Sequence, residues 1–260
     1  MSTHKPMIGT GPFRTHHVRE GDRYELVDGH AVYCAPSGGA HARASILGAQ
    51  VLGTDPLIES AGFDAGYTTD EMNLRAPDIA VGNVPDAFGW IKGVPPLAVE
   101  YASTGQDEQE LQAKIGELLE GGTQLVWVVR MIGPRRVEVY AKDAAMVTVG
   151  PGQTLTAPGI LQNPVAVEAL YEPSAARDAT LRNLLQEHGY NALDEVRAES
   201  REEGAVDQAR GALLAAIEAK GWHPSPPQAA RISDCADLTQ LRAWLISTIQ
   251  SADLQTALGT

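Results

Sequence analysis

Two short stretches, Arg75-Ala-Pro-Asp-Ile-Ala-Val81 and Pro95-Pro-Leu-Ala-Val-Glu-Tyr-Ala-Ser103, decide the fold of this chain. Each contains an apolar run of strand length, and each run has a carboxylate in it or beside it, Asp78 and Glu100. Charged side chains are rarely buried without a partner, because an isolated ion loses its hydration without compensation. The two stretches therefore predict buried β-strands that carry two acids needing a cation.

The segment after the second stretch is predicted to supply that cation. Residues 106–120 have the composition of a helix, with an apolar stripe of Leu111, Ile115 and Leu118. Lys114 falls on the same stripe, so its ammonium group points toward the core. Two acids and one lysine from consecutive elements predict a site for a hard divalent metal with a positively charged helper, which suits phosphodiester hydrolysis.

The order of the remaining elements predicts an α/β core. Asp28-Gly29 is a turn that closes a hairpin, residues 40–52 have helical composition, and residues 56–69 hold one or two further strands. Ser103 and Thr104 are predicted to cap the Lys114 helix. After it, Leu125–Val129 is an apolar strand followed by two alternating ones. The fold class is therefore a mixed sheet flanked by helices, preceded by a poorly ordered arm over residues 1–20.

A change of composition after Tyr171 predicts a domain boundary near residue 172. Residues 1–171 form the α/β domain, and 172–260 form a helical tail. The tail carries two apolar stripes, Leu213–Ile217 and Leu241–Ile249, which four helices can cover internally or across a dimer. These stripes are the best candidates for a self-complementary surface, so a homodimer is expected.

Composition limits the partners. The 260-residue chain has a formal net charge of −13, with 12 basic against 20 acidic residues in 1–171 and 8 against 13 in 172–260. Beyond Arg130, Arg135 and Arg136 there is no basic stripe, so non-specific affinity for nucleic acid should be weak. No apolar run is long enough for a membrane span and the N-terminal residues lack a signal pattern, which predicts a cytoplasmic protein without membrane contact. Cys34 and Cys235 show no zinc-site spacing.

The ordered motifs resemble one family. They are Pro77-Asp78, Pro95-Pro96-Leu97-Ala98-Val99-Glu100-Tyr101-Ala102-Ser103, Lys114 and Gly122-Thr-Gln-Leu-Val-Trp127, together with Arg23–Gly29, His41, Arg136–Tyr140 and Pro158-Gly159. In this order the chain resembles the Uma-two family of putative restriction endonucleases, a branch of the PD-(D/E)XK nuclease superfamily. The resemblance covers roughly residues 20–171.

The resemblance implies a restriction-endonuclease-like fold and a metal-dependent endonuclease that cuts DNA. Asp78 and Glu100 would hold Mg²⁺ or Mn²⁺, with the backbone carbonyl of Tyr101 as a further ligand, and Lys114 would stabilise the developing charge. Glu25 would be the additional acid seen near many such sites. The superfamily lysine normally stands two residues after the second acid, where this chain has Ala102, and in this branch it moves to the following helix.

Other interpretations remain open on the residues alone. Asp78, Glu100 and Lys114 could form a satisfied buried ion cluster that only holds sheet and helix together. The chain could equally be a catalytically inactive nuclease-fold protein that works in binding or assembly through its helical tail. His41 is interpreted as a structural histidine at the start of a helix. A Ser-His-Asp hydrolase is disfavoured, since no Gly-x-Ser-x-Gly motif is present.

Overall fold

The structure is a computed structural model that describes residues 10–104 and 107–259. Its contacts divide the chain into two compact units, residues 1–189 and residues 190–260. Of the predicted N-terminal arm, residues 1–9 lie outside the described part, and the rest includes a short 3₁₀ turn at Thr15–His17.

The described residues contain the following strands: β1 (Tyr24–Val27), β2 (His30–Tyr33), β3 (Ala61–Phe63), β4 (Tyr67–Thr68), β5 (Ile79–Val81), β6 (Ile91–Lys92), β7 (Leu97–Ala102), β8 (Leu125–Arg130), β9 (Arg136–Ala141), β10 (Val147–Val149), β11 (Thr154–Leu155) and β12 (Val165–Ala166). The helices are α1 (Gly39–Gly53), α2 (Glu108–Glu120), α3 (Pro173–Glu187), α4 (Leu193–Ala219), α5 (Pro226–Ser233), α6 (Leu238–Gln250) and α7 (Leu254–Leu258). A second 3₁₀ turn covers Val167–Leu170.

A six-stranded mixed sheet is the centre of the first unit, in the order β10-β9-β8-β7-β5-β3. Strands β7 and β8 are parallel, with α2 between them in sequence, and the other neighbouring pairs are antiparallel. The predicted mixed α/β fold with flanking helices is therefore confirmed. The hairpin is confirmed as well: Asp28 and Gly29, both with positive φ, connect β1 and β2, which pair antiparallel.

The two faces of the sheet are covered by different helices. In β7, Leu97, Val99 and Tyr101 belong to a core cluster that includes residues of α1 and α3. The alternate residues Ala98 and Ala102 pack instead with the apolar stripe of α2. Because side chains alternate along a strand, Glu100 lies on the α2 face, the side from which Lys114 reaches it.

Helix α2 starts differently from the prediction. Its N-cap is Asp107, whose carboxylate accepts hydrogen bonds from the backbone N–H groups of Gln109 and Glu110. Ser103 and Thr104 precede the cap and do not serve as one. Gln106, the first residue of the predicted helix, lies outside the described residues. Acidic side chains follow in the first turn, where the helix dipole favours anions.

Helix α3 belongs with the first unit, so the compact units divide at 189/190, whereas the sequence predicted a boundary at 171/172. The physical reason is a buried contact that composition does not reveal. The Asn183 side chain is buried and donates to the backbone carbonyl of Val51 in α1 at 3.0 Å. Asn163 donates in turn to the Asn183 side-chain oxygen at 3.0 Å.

The second unit consists of helices α4 to α7 around their own core, which includes Leu213, Ile217, Leu241 and Trp244. The two predicted stripes are thus largely covered within the unit. Ile249 remains 63% exposed. Within the described chain, no helix combines the length and apolarity that crossing a membrane requires.

Candidate active site

The register of the sheet brings the two predicted acids together. The β5–β7 ladder ends with the pair Ile79 and Val99, so Asp78, directly before β5, and Glu100, the next residue of β7, lie at the same end of it. The two carboxylates are close enough for the charge of Asp78 to act on Glu100 and raise its pKa. Like charges in this position destabilise a sheet, which makes the pair costly unless a cation lies nearby.

Lys114 is that cation. Its ammonium nitrogen lies 2.9 Å from Glu100 Oε1 and 3.1 Å from Glu25 Oε1, and it donates to the backbone carbonyl of Ala76 at 2.7 Å. The side chain is 12% exposed. The structure therefore brings Lys114 into direct contact with both Glu100 and Glu25, with Asp78 at the same end of the β5–β7 ladder as Glu100.

Glu25, on β1, is surrounded by hydrogen-bond donors. Oε1 accepts from Lys114 and from the backbone N–H of Ala76, and Oε2 lies 3.0 Å from the Arg75 guanidinium. Arg75 in turn forms a bidentate pair with Glu117 of α2, at 2.6 and 2.8 Å. A carboxylate with three donors has little capacity left for a further ligand, so in this arrangement Glu25 holds Lys114 and Arg75 in place.

Asp78 is held by two groups, one on each oxygen. His41 Nε2 in the first turn of α1 lies 3.1 Å from Oδ1, and the backbone N–H of Tyr101 donates to Oδ2 at 2.6 Å. His41 Nδ1 lies 3.4 Å from the Ser103 hydroxyl. The sequence assigned His41 a structural role; the structure places it against a predicted site acid. Of Tyr101, it is the backbone N–H that faces Asp78, while the role of its carbonyl as a metal ligand stays a prediction.

Burial favours the uncharged forms of Glu100 and Lys114, whereas the attraction between the two favours their charged forms. Burial raises the pKa of Glu100 to about 8, the Lys114 ammonium opposes this, and the Asp78 carboxylate adds to it. For Lys114, burial acts to lower the pKa, but the carboxylates of Glu100 and Glu25 outweigh it and the net direction is upward. Without a further cation, Glu100 thus binds a proton readily and Lys114 stays charged.

Asp64 is an acid beside the candidate site that the sequence did not indicate. Phe63 pairs with Ile79 in the β3–β5 ladder, so Asp64 stands opposite Asp78, and its backbone N–H donates to the Asp78 carbonyl at 3.3 Å. Burial raises the pKa of Asp64, and the charges of Asp78 and Glu25 act in the same direction. No sequence signal marked it, because it follows a short Gly-containing strand rather than interrupting an apolar run.

The donor atoms suit a hard divalent metal, although the described side chains do not form a closed cage. Carboxylate oxygens are the preferred ligands of Mg²⁺, and the buried Glu100 Oε1 has the Lys114 ammonium at 2.9 Å as an ion-pair partner. In the part of the chain described, no group of three or more His, Cys, Asp and Glu residues is arranged to hold a metal ion. Asp78 and Glu100 would therefore need backbone and water ligands to complete a coordination sphere.

A mixed sheet with helices on both faces and an acid pair beside a helical lysine defines a restriction-endonuclease-like α/β protein. A similar solved structure is a putative nuclease belonging to DUF820 from Anabaena variabilis ATCC 29413. It has 19% sequence identity and a TM-score of 0.52, and the match covers 61% of this chain and 94% of that one. This likeness concerns the fold.

The Uma2 family model, described as "Putative restriction endonuclease", matches residues 13–168. The match extends over more than half of the chain, and the protein belongs to the Uma2 family, the Uma-two family that its motifs resemble. No curated protein matches it.

Proposed function

We propose that this protein is a divalent-metal-dependent endonuclease that hydrolyses phosphodiester bonds of DNA. The observation that carries the proposal is the placement of Asp78 and Glu100 at one end of the β5–β7 ladder, with Lys114 at 2.9 Å from Glu100. Membership of a family described as putative restriction endonucleases and the nuclease-like fold support it. Restriction-endonuclease-like families generally use divalent metals, which fits the carboxylate donor set.

Each residue of the cluster has a distinct part in the proposed reaction. Asp78 and Glu100 hold Mg²⁺ or Mn²⁺, and the Tyr101 carbonyl is a further candidate ligand. Such an ion, when bound, supplies a Lewis acid for the phosphate and lowers the pKa of bound water. Lys114 stabilises negative charge that develops on the phosphate oxygens. Glu25 and the Ala76 carbonyl hold the Lys114 ammonium where it can do so.

The charge distribution is consistent with weak non-specific binding of DNA. Arg130 makes a bidentate pair with Glu108 at 2.7 Å for both contacts and is also 2.7 Å from Glu138. Arg136 lies 2.9 Å from the same Glu138 carboxylate. These arginines, part of the basic group seen in the sequence, are already paired within the protein, so they offer less net charge to a phosphate backbone.

The proposal also covers the cellular location and the oligomeric state of the protein. The proposal includes a cytoplasmic location, and cutting both strands of a duplex favours a homodimer with one site per chain. The Ile249 side chain of α6, 63% exposed, supports a contact through the tail.

Neutral substitutions of the two acids test the proposal directly. Asp78→Asn and Glu100→Gln should abolish Mg²⁺-dependent cleavage of plasmid DNA and abolish stabilisation of the fold by Mn²⁺ in thermal unfolding, because each removes a ligand. Without metal, Glu100→Gln should unfold no earlier than the wild type, since Lys114 keeps Glu25 as its carboxylate partner and a buried carboxylate that repels Asp78 is gone. Glu110→Gln, on the exposed face of α2, is the control and should behave as the wild type. Cleavage by either site variant at the wild-type rate would show that the site is assigned wrongly.

A second candidate function is that of an inactive nuclease-fold protein acting in assembly. The closed network around Glu25, Lys114 and Arg75 favours it, as do Ala102 and the net charge of −13. This candidate predicts that Mn²⁺ does not stabilise even the wild-type fold. The same thermal unfolding series therefore separates the two functions.

A further inference from the structure

The first turn of α1 delivers a histidine to the first acid of the proposed metal site. His41 Nε2 lies 3.1 Å from Asp78 Oδ1, and the His41 side chain is 12% exposed. With the proton on Nε2, the ring donates to Asp78 and accepts at Nδ1 from the Ser103 hydroxyl, 3.4 Å away. Both ring nitrogens thus have a partner within the described residues.

The position of the His41 ring is fixed by packing as well. The ring lies against that of Tyr101, with 5.8 Å between the centroids and 51° between the planes. Tyr101 is itself locked, since its hydroxyl donates to the Leu170 carbonyl at 2.9 Å and the residue is buried. It passes α1 at Gly48, where a Cβ atom would overlap the Tyr101 hydroxyl. A chain of contacts therefore runs from Gly48 through Tyr101 and His41 to Asp78.

These contacts orient the Asp78 carboxylate without saturating it. A carboxylate offers about four lone-pair directions. Counting the described residues, His41 occupies one on Oδ1 and the Tyr101 N–H occupies one on Oδ2, which leaves one direction on each oxygen for a further ligand. Glu25 differs, because three donors already contact it. Asp78 is thus both fixed in orientation and able to accept a further ligand.

We propose that His41 is a positioning residue that sets the orientation in which Asp78 receives the metal. The inference rests on the proposed function, since it concerns the same site. Groups that hydrogen-bond a metal ligand fix its rotamer, and their loss typically weakens metal affinity by roughly 10- to 100-fold. His41 would act in this way through the Oδ1 atom of Asp78, without touching the substrate.

Three substitutions of His41 separate the effect of its hydrogen bond to Asp78 from the effect of its packing against Tyr101. His41→Gln places an amide near the position of Nε2 and so can still donate to Asp78. His41→Asn reaches only the position of Nδ1, which keeps a polar group near Ser103 and loses the contact with Asp78. His41→Phe keeps a ring against Tyr101 and has no donor. His223→Phe, at an exposed position of the second unit, is the matched control.

The measurement is the affinity of the full-length protein for Mn²⁺ by isothermal titration calorimetry, with metal-free thermal unfolding as the check on folding. His41→Asn and His41→Phe should bind Mn²⁺ roughly 10- to 100-fold more weakly than the wild type. His41→Gln and the control should stay within a few-fold of it. If the phenylalanine variant does not fold, the comparison of Asn with Gln carries the test.

The possible results discriminate between the two proposals. Equal affinity in the wild type, His41→Asn and His41→Phe would overturn the role of His41 and leave the metal site standing. Equal weakening in His41→Gln and His41→Asn would also overturn it, because the hydrogen bond to Asp78 would then not be the cause. A wild type that binds no Mn²⁺ would overturn the metal site and this inference with it.

Discussion

Lys114 has three acceptors around its ammonium group, and two of them are carboxylates on strands of different sheets. Removing its charge therefore affects both chemistry and folding. The two effects are separable. When the Lys114 charge is removed, Glu25 keeps Arg75 as a counter-ion, whereas Glu100 loses the cation that contacts it. Breaking a buried ion pair by removing one partner costs about 3–5 kcal/mol, less where the remaining group can take up a proton as Glu100 does.

Lys114→Met should lower the cleavage rate by roughly two or more orders of magnitude, as loss of one electrostatic stabiliser typically does. It should also lower the unfolding temperature, since the methylene packing is kept but the buried Glu100 loses its ion-pair partner. Lys114→Met combined with Glu100→Gln should recover the stability and not the rate. Single-turnover cleavage at saturating Mg²⁺ and thermal unfolding measure the two quantities. A single variant with an unchanged rate would make Lys114 a packing residue.

The sequence pointed to some residues of the candidate site and not to others. Asp78 and Glu100 could be found because each is a charge in or beside an apolar run, and Lys114 because it falls on an apolar helical stripe. His41 and Asp64 carry no such contrast with their neighbours. Their place at the site follows from the start of α1 and from the β3–β5 register, which are tertiary features.

Helix α1 and strand β7 approach each other closely at Gly48. A Cβ there would overlap the Tyr101 hydroxyl and come within 3.0 Å of Ile79 Cδ1, so a larger residue must displace one of the two elements. The sequence did not reveal this approach, because Gly48 looks like any small residue within a helical pattern. The apolar runs did predict β5, β7 and β8. The predicted N-cap of α2, at Ser103 and Thr104, was wrong. Ser, Thr and Asp all cap helices, and tertiary contacts decide which of them precedes the first turn, here Asp107.

Gly48→Ala should destabilise the protein by about 1–3 kcal/mol, the usual cost of overpacking, despite the higher helix propensity of alanine. Tyr101→Phe removes the overlapping hydroxyl and the bond to Leu170, at a cost of its own. In the double variant the clash is relieved, so the combined loss should be smaller than the sum of the single losses. Urea unfolding of the four proteins gives the coupling, with Gly116→Ala, where a Cβ meets nothing within 4 Å, as the control in α2. Strictly additive losses would contradict a contact between Gly48 and Tyr101.

At the scale of the whole chain, composition revealed that an all-helical region follows the α/β domain, and it could not reveal where the first compact unit ends. Helix α3 has the polar composition of the tail, yet Ala176 and Asn183 are buried, and Asn183 bonds to the α1 backbone. A polar side chain that satisfies a buried carbonyl does not appear in an apolar pattern. The net charge of −13, by contrast, could be counted directly from the sequence. The structure adds that Arg130 and Arg136 are paired with acidic side chains, so they offer less net charge to a phosphate backbone.

Two truncations test this division and the proposed dimer together. Residues 1–189 keep α3 and should unfold in one cooperative transition, whereas residues 1–171 leave the Val51 carbonyl and the α3-facing side of α1 uncovered and should be markedly less stable. If the tail carries the self-association, light scattering should give a dimer for the full chain and a monomer for residues 1–189. Equal numbers of chains per particle in both proteins would place the contact in the first unit or show that none exists. Equal stability of the two truncations would mean that α3 contributes nothing to the first unit, and the boundary predicted at 171/172 would then be the better one.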